Sequence, residues 1–352
     1  MFLADQKSGA RVQNCFIGGF NYAINSGLNN TPKVKVIDVG IDCRNGIRIN
    51  KSFDVSYVTR VHCWPFLSIG FPNRTEEDVQ RDGVAFANLG GDATKFTDCF
   101  SYGYRVGYQI TDTNNAILTN CGADNNPNGT LHASSFGFYL DGETKEPLLT
   151  NCQSAGQSAA GIVSILGDVA GYLQLNNCSF WRSAVYQAYI ISGEYLISNS
   201  SFRGVLGAPE TEGLRIESTS KGIVEGNIFS GLFTAVSSTE TAVPLIGTNI
   251  IKDCANGYNR RDIESVASES TVFLNQERGV FKVTGVSTIS NIQNVLAYAG
   301  EKITLIFDST ASVNNLGNVK LSSSPFSATS GDTLTLVSDG LSWYEVSRSV
   351  NI

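Results

Sequence analysis

Short apolar runs, each followed by a polar residue or two and then a cysteine or a small residue, recur along the first two thirds of the chain. They read Ile117-Leu-Thr-Asn-Cys121, Leu148-Leu-Thr-Asn-Cys152 and Leu173-Gln-Leu-Asn-Asn-Cys178. The frame continues without cysteine as Leu196-Ile-Ser-Asn-Ser-Ser-Phe202 and Ile223-Val-Glu-Gly-Asn-Ile-Phe229, and returns as Ile250-Ile-Lys-Asp-Cys254. The cysteine-equivalent positions 99, 121, 152, 178, 200, 227 and 254 are separated by 22, 31, 26, 22, 27 and 27 residues. A period in the twenties built from four- to five-residue strands is the signature of a β-solenoid.

A second strand recurs in each period, as Gly46–Asn50, Gly107–Thr111, Gly137–Asp141, Gly161–Ile165, Gln187–Ile191 and Gly213–Glu217. Alternation fixes its faces. Ile47/Ile49, Tyr108/Ile110, Phe138/Leu140 and Leu214/Ile216 point inward. Arg48/Asn50, Gln109/Thr111, Tyr139/Asp141, Tyr189/Ile191 and Arg215/Glu217 point outward. Stacked coils turn the outward set into ladders on one face of a parallel sheet; eight to ten coils would extend roughly 40–50 Å. Three stretches break the period and are expected to be loops: 64–95, 122–135 and 204–212. No stretch between strands is long enough for the helices of a Rossmann or barrel fold.

The expectation is an all-β chain: a right-handed parallel β-helix over 1–265, then a small C-terminal antiparallel β-domain over 266–352. In the latter, Leu334–Val337 and Trp343–Val346 read as strands joined by an Asp339-Gly340 turn, with Trp343 structural.

Composition agrees with many short strands and tight turns: 35 glycines, 8 prolines and 16% charged residues. A net charge of −7 argues against nucleic acid as partner. No run of 18 apolar residues points to membrane insertion, and residues 1–10 lack the apolar core of a signal peptide. The only methionine, Met1, directly precedes apparent repeat, which suggests a start codon placed on part of a longer protein. The eight cysteines form no CxxC motif and the two histidines, His62 and His132, lie apart. Buried free thiols are therefore expected, with no metal site and no cofactor.

Residues 1–262 resemble the β-helix of the pectate-lyase-like superfamily, a carbohydrate-active fold that implies no particular chemistry. The segments Ile303–Phe307, Asn318–Leu321, Gly331–Gly340 and Ser342–Arg348 resemble the ending of bacteriophage tailspikes and capsule depolymerases. That resemblance implies a homotrimer on a virion tail, acting outside the cell on bacterial capsular or O-antigen polysaccharide. Hydrolysis of such a polymer normally takes two carboxyl groups. Asp141 and Glu143 are the first pair, Glu217 lies three coils further along the same face, and Glu194 and Asp112 come from neighbouring coils. Sugar-stacking rings and charge partners are expected from Tyr139, Tyr189, Trp181, Arg215 and Arg48, with Trp64 a further exposed ring. Should this face fail, Glu210, Glu212 and the acids of the 64–95 loop come next. A polysaccharide lyase and a non-catalytic adhesin are the competing readings.

Overall fold

The computed structural model describes residues 9–26, 33–68, 79–125, 134–167, 171–205, 211–217, 220–239, 242–259, 264–274, 279–294 and 299–351. Every element named among them is a strand. The chain divides into two compact units, Met1–Arg260 and Arg261–Ile352.

The first unit is a parallel β-solenoid with three faces. The first face is a ten-stranded sheet in chain order whose strands include Asn45–Asn50, Tyr104–Thr111, Phe136–Gly142, Ala160–Leu166, Tyr186–Ser192 and Glu212–Ile216. The second and third faces belong to one seventeen-stranded sheet bent along its length. On the second lie short strands such as Ile117–Thr119 and Leu148–Thr150, and on the third Gly122–Asp124, Gln153–Ala155 and Ser179–Trp181. The anticipated register holds on the first face: Ile47, Ile49, Tyr108, Ile110, Phe138, Leu140, Leu214 and Ile216 are buried. Inside, Phe86, Tyr108 and Phe138 stack at 4.7 and 4.9 Å, and Phe180, Phe202 and Phe229 at 5.6 and 4.9 Å.

The bend between the second and third faces explains the cysteine frame. One residue there adopts a left-handed backbone, as at Asp98, Asn120, Asn151, Asn177, Asn199 and Gly226 (φ 51–67), a conformation that asparagine, aspartate and glycine tolerate best. The next residue points inward and meets carbonyls of the preceding coil. Cys99, Cys121, Cys152 and Cys178 donate from Sγ to Val58, Phe96, Leu118 and Leu149 carbonyls at 3.3–3.5 Å. Asn227 and Asn249 do the same from Nδ2 to Ile197 and Val224, at 2.9 and 3.0 Å. A small inward side chain with a donor thus adds a hydrogen bond between successive coils at the bend.

This corrects the frame at its end. Ile228–Ser230 pairs with Ile250–Lys252, so Asn249 and not Cys254 follows Asn227. The apolar pair at 250–251 imitates the run before the bend, but it lies beyond it. All three expected loops are also shorter than the broken period suggests. Arg81–Leu89 is a strand of the first face with Phe86 buried beneath it. Gly122–Asp124 is a strand of the third face, and Glu212 already opens a strand. The charged run before residue 81 obscured the first of these. Residues 69–78, 126–133 and 206–210, and with them His132 and Glu210, lie outside the described residues.

None of the eight cysteines is bridged; six are buried, Cys254 is half-buried and Cys15 is exposed. Burial pushes the Cys63, Cys99 and Cys152 thiols well above their ordinary pKa, and only thiolates react. A thiol reagent should therefore label Cys15 first and Cys254 more slowly in the native protein, and all eight after unfolding. Finding two or more bridges by mass would contradict this.

The second unit contains the anticipated hairpin, Thr333–Ser338 antiparallel to Trp343–Ser349, with Trp343 buried. Asp339 caps the turn by accepting from the Leu341 and Ser342 amides at 2.8 and 2.7 Å. The sheet is mixed, because Glu264–Ala267, Val280–Thr284 and Lys302–Phe307 pair in parallel before the antiparallel strands begin. These strands pair in parallel as the solenoid coils do but lack the cysteine frame, which is why the sequence reading placed them in an antiparallel domain.

Candidate functional site

The outward side of the first face carries two columns of side chains on successive rungs. One runs Tyr139, Val163, Tyr189, Arg215, Ser237, and the other Phe136, Ala160, Tyr186, Glu212, Thr234. Residues three apart on one strand bring rings together across the columns. Phe136 and Tyr139 lie at 5.4 Å, and Tyr186 and Tyr189 stack at 4.6 Å. Val163 stands between the two ring pairs on the intervening rung and its side chain is buried, which leaves the rings as the accessible relief.

Asp141 follows Tyr139 at the strand's end, beside Thr111 of the preceding coil, whose hydroxyl donates to its carboxylate. Desolvation by burial pushes the Asp141 pKa up, the charge of Asp112 adds to this, and the Thr111 hydrogen bond opposes it. Tyr139 is pushed up by the same burial and by the Asp141 charge. Asp112 accepts from the Glu143 amide at 2.9 Å. A side chain at Gly167 would reach within 3.2 Å of the Glu143 carboxylate, so glycine there leaves that acid its space. Asp112, Asp141 and Glu143 are thus gathered at one edge of the face.

Glu217 is held differently. Its Oε1 accepts from Arg215 Nε at 3.0 Å and from the Tyr189 hydroxyl at 3.3 Å. Arg215 also lies 3.9 Å from Glu212, which accepts from the Ser237 hydroxyl. Arg215 is therefore shared between two acids, and Glu217 sits in an ion pair three rungs from Asp141, about 14 Å by strand spacing. Arg48 faces outward three rungs on the other side of Tyr139, and its Nε is buried without a hydrogen-bond partner among the described residues.

Two residues grouped with this face in the sequence reading belong elsewhere. Glu194 opens a strand of the second face, between Tyr172 and Lys221. Trp181 lies on the third face between Ala155 and Arg203. Outward side chains on different faces of a solenoid diverge, and a linear sequence does not show where the chain turns the corner. Trp64 packs against Tyr102 at 4.7 Å and His62 at 5.4 Å; burial lowers the His62 pKa.

Asp124 was missed. It takes the same outward place on its strand as Tyr102, Ala155, Trp181 and Arg203 take on theirs, a recurrence three residues after the cysteine position that could have found it. Its Oδ1 is buried without a hydrogen-bond partner among the described residues, and desolvation raises its pKa to about 6. The folded protein then holds this proton between about pH 4, where an unfolded aspartate titrates, and pH 6. Stability should fall as pH rises through that window. Asp124→Asn should flatten the slope and stabilise the neutral-pH protein by about 1–2 kcal/mol, after discounting for solvent screening at a part-exposed site. Urea titrations at several pH values check this, and an unchanged slope contradicts it.

Among the described residues no group of three or more His, Cys, Asp or Glu side chains could hold a metal ion, and no helix is long and apolar enough to cross a membrane.

No family model matches the sequence, and no curated protein matches it. Among solved structures, the chain is similar to PfbA, a surface adhesin of Streptococcus pneumoniae, at 10% identity and a TM-score of 0.47, over 98% of this chain and 93% of that one. It is similar to the A-module of the Azotobacter vinelandii mannuronan C-5 epimerase AlgE4, at 10% identity and a TM-score of 0.39, over 72% and 89%. It is similar also to the tailspike protein of E. coli bacteriophage HK620 in complex with a pentasaccharide, at 8% identity and a TM-score of 0.38, over 87% and 74%. At these values the likenesses assign no residue of this chain a role.

Proposed function

We propose that this protein is a bacteriophage tailspike that binds a bacterial capsular or O-antigen polysaccharide along the first face and cleaves it by endo-glycosidic hydrolysis. The observation that carries the reading is the placement of Asp141, a carboxyl group whose pKa desolvation raises, on a rigid strand that also carries one of two pairs of outward aromatic rings. Flat rings take the apolar faces of sugars, and a carboxyl with a raised pKa suits the acid that protonates a glycosidic oxygen. Glu143, at the end of the same strand, is the base or nucleophile. The C-terminal hairpin, with its likeness to tailspike endings, supports a homotrimer.

The test is incubation with purified capsular polysaccharide or O-antigen, followed by sizing of the polymer. Shortening without a new ultraviolet-absorbing unsaturated end is the expected result. An unsaturated end would make the protein a lyase, and an unchanged polymer that nevertheless binds would make it an adhesin. Light scattering should return three times 37.8 kDa; a monomer would remove the trimer.

A further inference from the structure

The third face carries a groove of ≈ 400 Å³ lined by Gln153, Ser179, Trp181, Arg182, Arg203 and Gly204. It is open and contains no carboxylate, although the chain as a whole carries a net charge of −7. The Trp181 indole and Arg203 stand on adjacent rungs, about 4.8 Å apart by strand spacing. Arg203 Nε donates to Ser201 Oγ at 3.0 Å. Among the described residues neither Arg182 nor Arg203 is in a salt bridge, while Arg44, Arg60, Arg81, Arg215 and Arg348 all are. The shape of the groove is fixed by small residues. A Cβ at Gly204 would come within 2.2 Å of the Gly231 carbonyl, and Ala155 precedes Trp181 in the column.

From this arrangement we infer that the groove binds a carboxylate-bearing sugar unit, its ring stacked on Trp181 and its carboxylate held by Arg182 and Arg203. The spacing fits the ligand: an indole takes the apolar face of a pyranose, and a guanidinium one rung away reaches an exocyclic carboxylate, where its planar fork matches two oxygens. Gln153 and Ser179 supply neutral hydrogen-bonding groups for ring hydroxyls. The inference rests on the polysaccharide reading and adds to it an anionic class of substrate and a contact surface separate from the Asp141 face.

The experiment titrates the whole protein, carrying Trp64→Phe so that Trp181 is the accessible indole, with oligogalacturonate and with its carboxyl-reduced, neutral counterpart. Fluorescence should respond saturably to the acidic oligomer, and the neutral one should bind at least about tenfold more weakly, the scale of one charge-assisted pair. Arg182→Gln/Arg203→Gln should lose the preference, and Trp181→Ala should lose the signal. Equal binding of both oligomers, an unaffected double variant, or no response would overturn the groove. Adding Asp141→Asn should leave the titration unchanged, so the two sites fail separately. A polymer that is shortened while the groove does not bind sinks only this inference. Binding here with no surface polysaccharide bound or shortened sinks the tailspike reading instead.

Discussion

Asp141→Asn should lower polysaccharide cleavage by at least about a hundredfold, within the range for loss of an acid–base group, and leave the melting temperature nearly unchanged. The side chain stands on the outward side of its strand, so it contributes no core packing; its hydrogen bond from Thr111 has an amide oxygen to accept it in the variant. What asparagine cannot do is carry the proton. Glu143→Gln should show a comparable loss, because the second carboxyl is needed whether it acts as base or as nucleophile. Tyr139→Ala should instead weaken substrate binding more than turnover, since a stacking ring contributes alike before and during reaction. Rates and polymer binding measured on the three variants decide the matter. Near-normal cleavage by both carboxylate variants would move the chemistry off this edge, and Asp124 would be the next acid to replace.

Tyr108→Ala should destabilise the protein by about 3–5 kcal/mol, the usual range for truncating a buried aromatic side chain. Tyr108 is fully buried, stacked between Phe86 and Phe138, and its hydroxyl donates toward the Cys99 and Gly122 carbonyls at 2.8 and 3.3 Å. It therefore ties three coils by packing and the bend between the second and third faces by hydrogen bonding. Tyr108→Phe separates the two contributions, because it keeps the stack and removes only the hydroxyl's hydrogen bonds, at about 0.5–1.5 kcal/mol, the Cys99 carbonyl still accepting from the Gly122 amide. Denaturant midpoints of the two variants give both numbers. A Tyr108→Ala loss below that of Tyr108→Phe would show that the stack contributes nothing.

Much of the first face was legible in the sequence because it obeys a period of two with large apolar residues inside, as in Phe138-Tyr139-Leu140-Asp141. Such a pattern has one register that buries Phe138 and Leu140. The cysteine frame was legible too, as a small inward donor at the bend, and it failed where an asparagine, Asn249, took that place. The site was legible only in part. Tyr139, Tyr189, Arg215, Glu217 and Asp141 share a face because they share a strand position. Trp181 and Glu194 do not, since a linear reading sees that a side chain points outward but not toward which side. Asp124 stayed hidden because its importance comes from desolvation by residues distant in sequence, and nothing in Cys-Gly-Ala-Asp announces that.

The left-handed corner has a consequence for how such a chain can change. Its connection stays short throughout: Asn120 and Cys121 join Thr119 to Gly122, and Asn199 and Ser200 join Ser198 to Ser201. Three long connections instead leave the third face for the first, from Cys63 to Arg81, Asp124 to Phe136 and Arg203 to Glu212, and one, from Asn25 to Lys35, leaves the first for the second. Lengthening a connection costs little entropy when its ends are already held, whereas an insertion at the left-handed corner would break the ladder of inward donors. Mutation can therefore exchange whole segments along one seam while the coils keep their pairing. That seam borders both the ring-bearing face and the Trp181 groove, so a shift in glycan preference could arise by cassette replacement, as variable loops diversify on an invariant immunoglobulin frame.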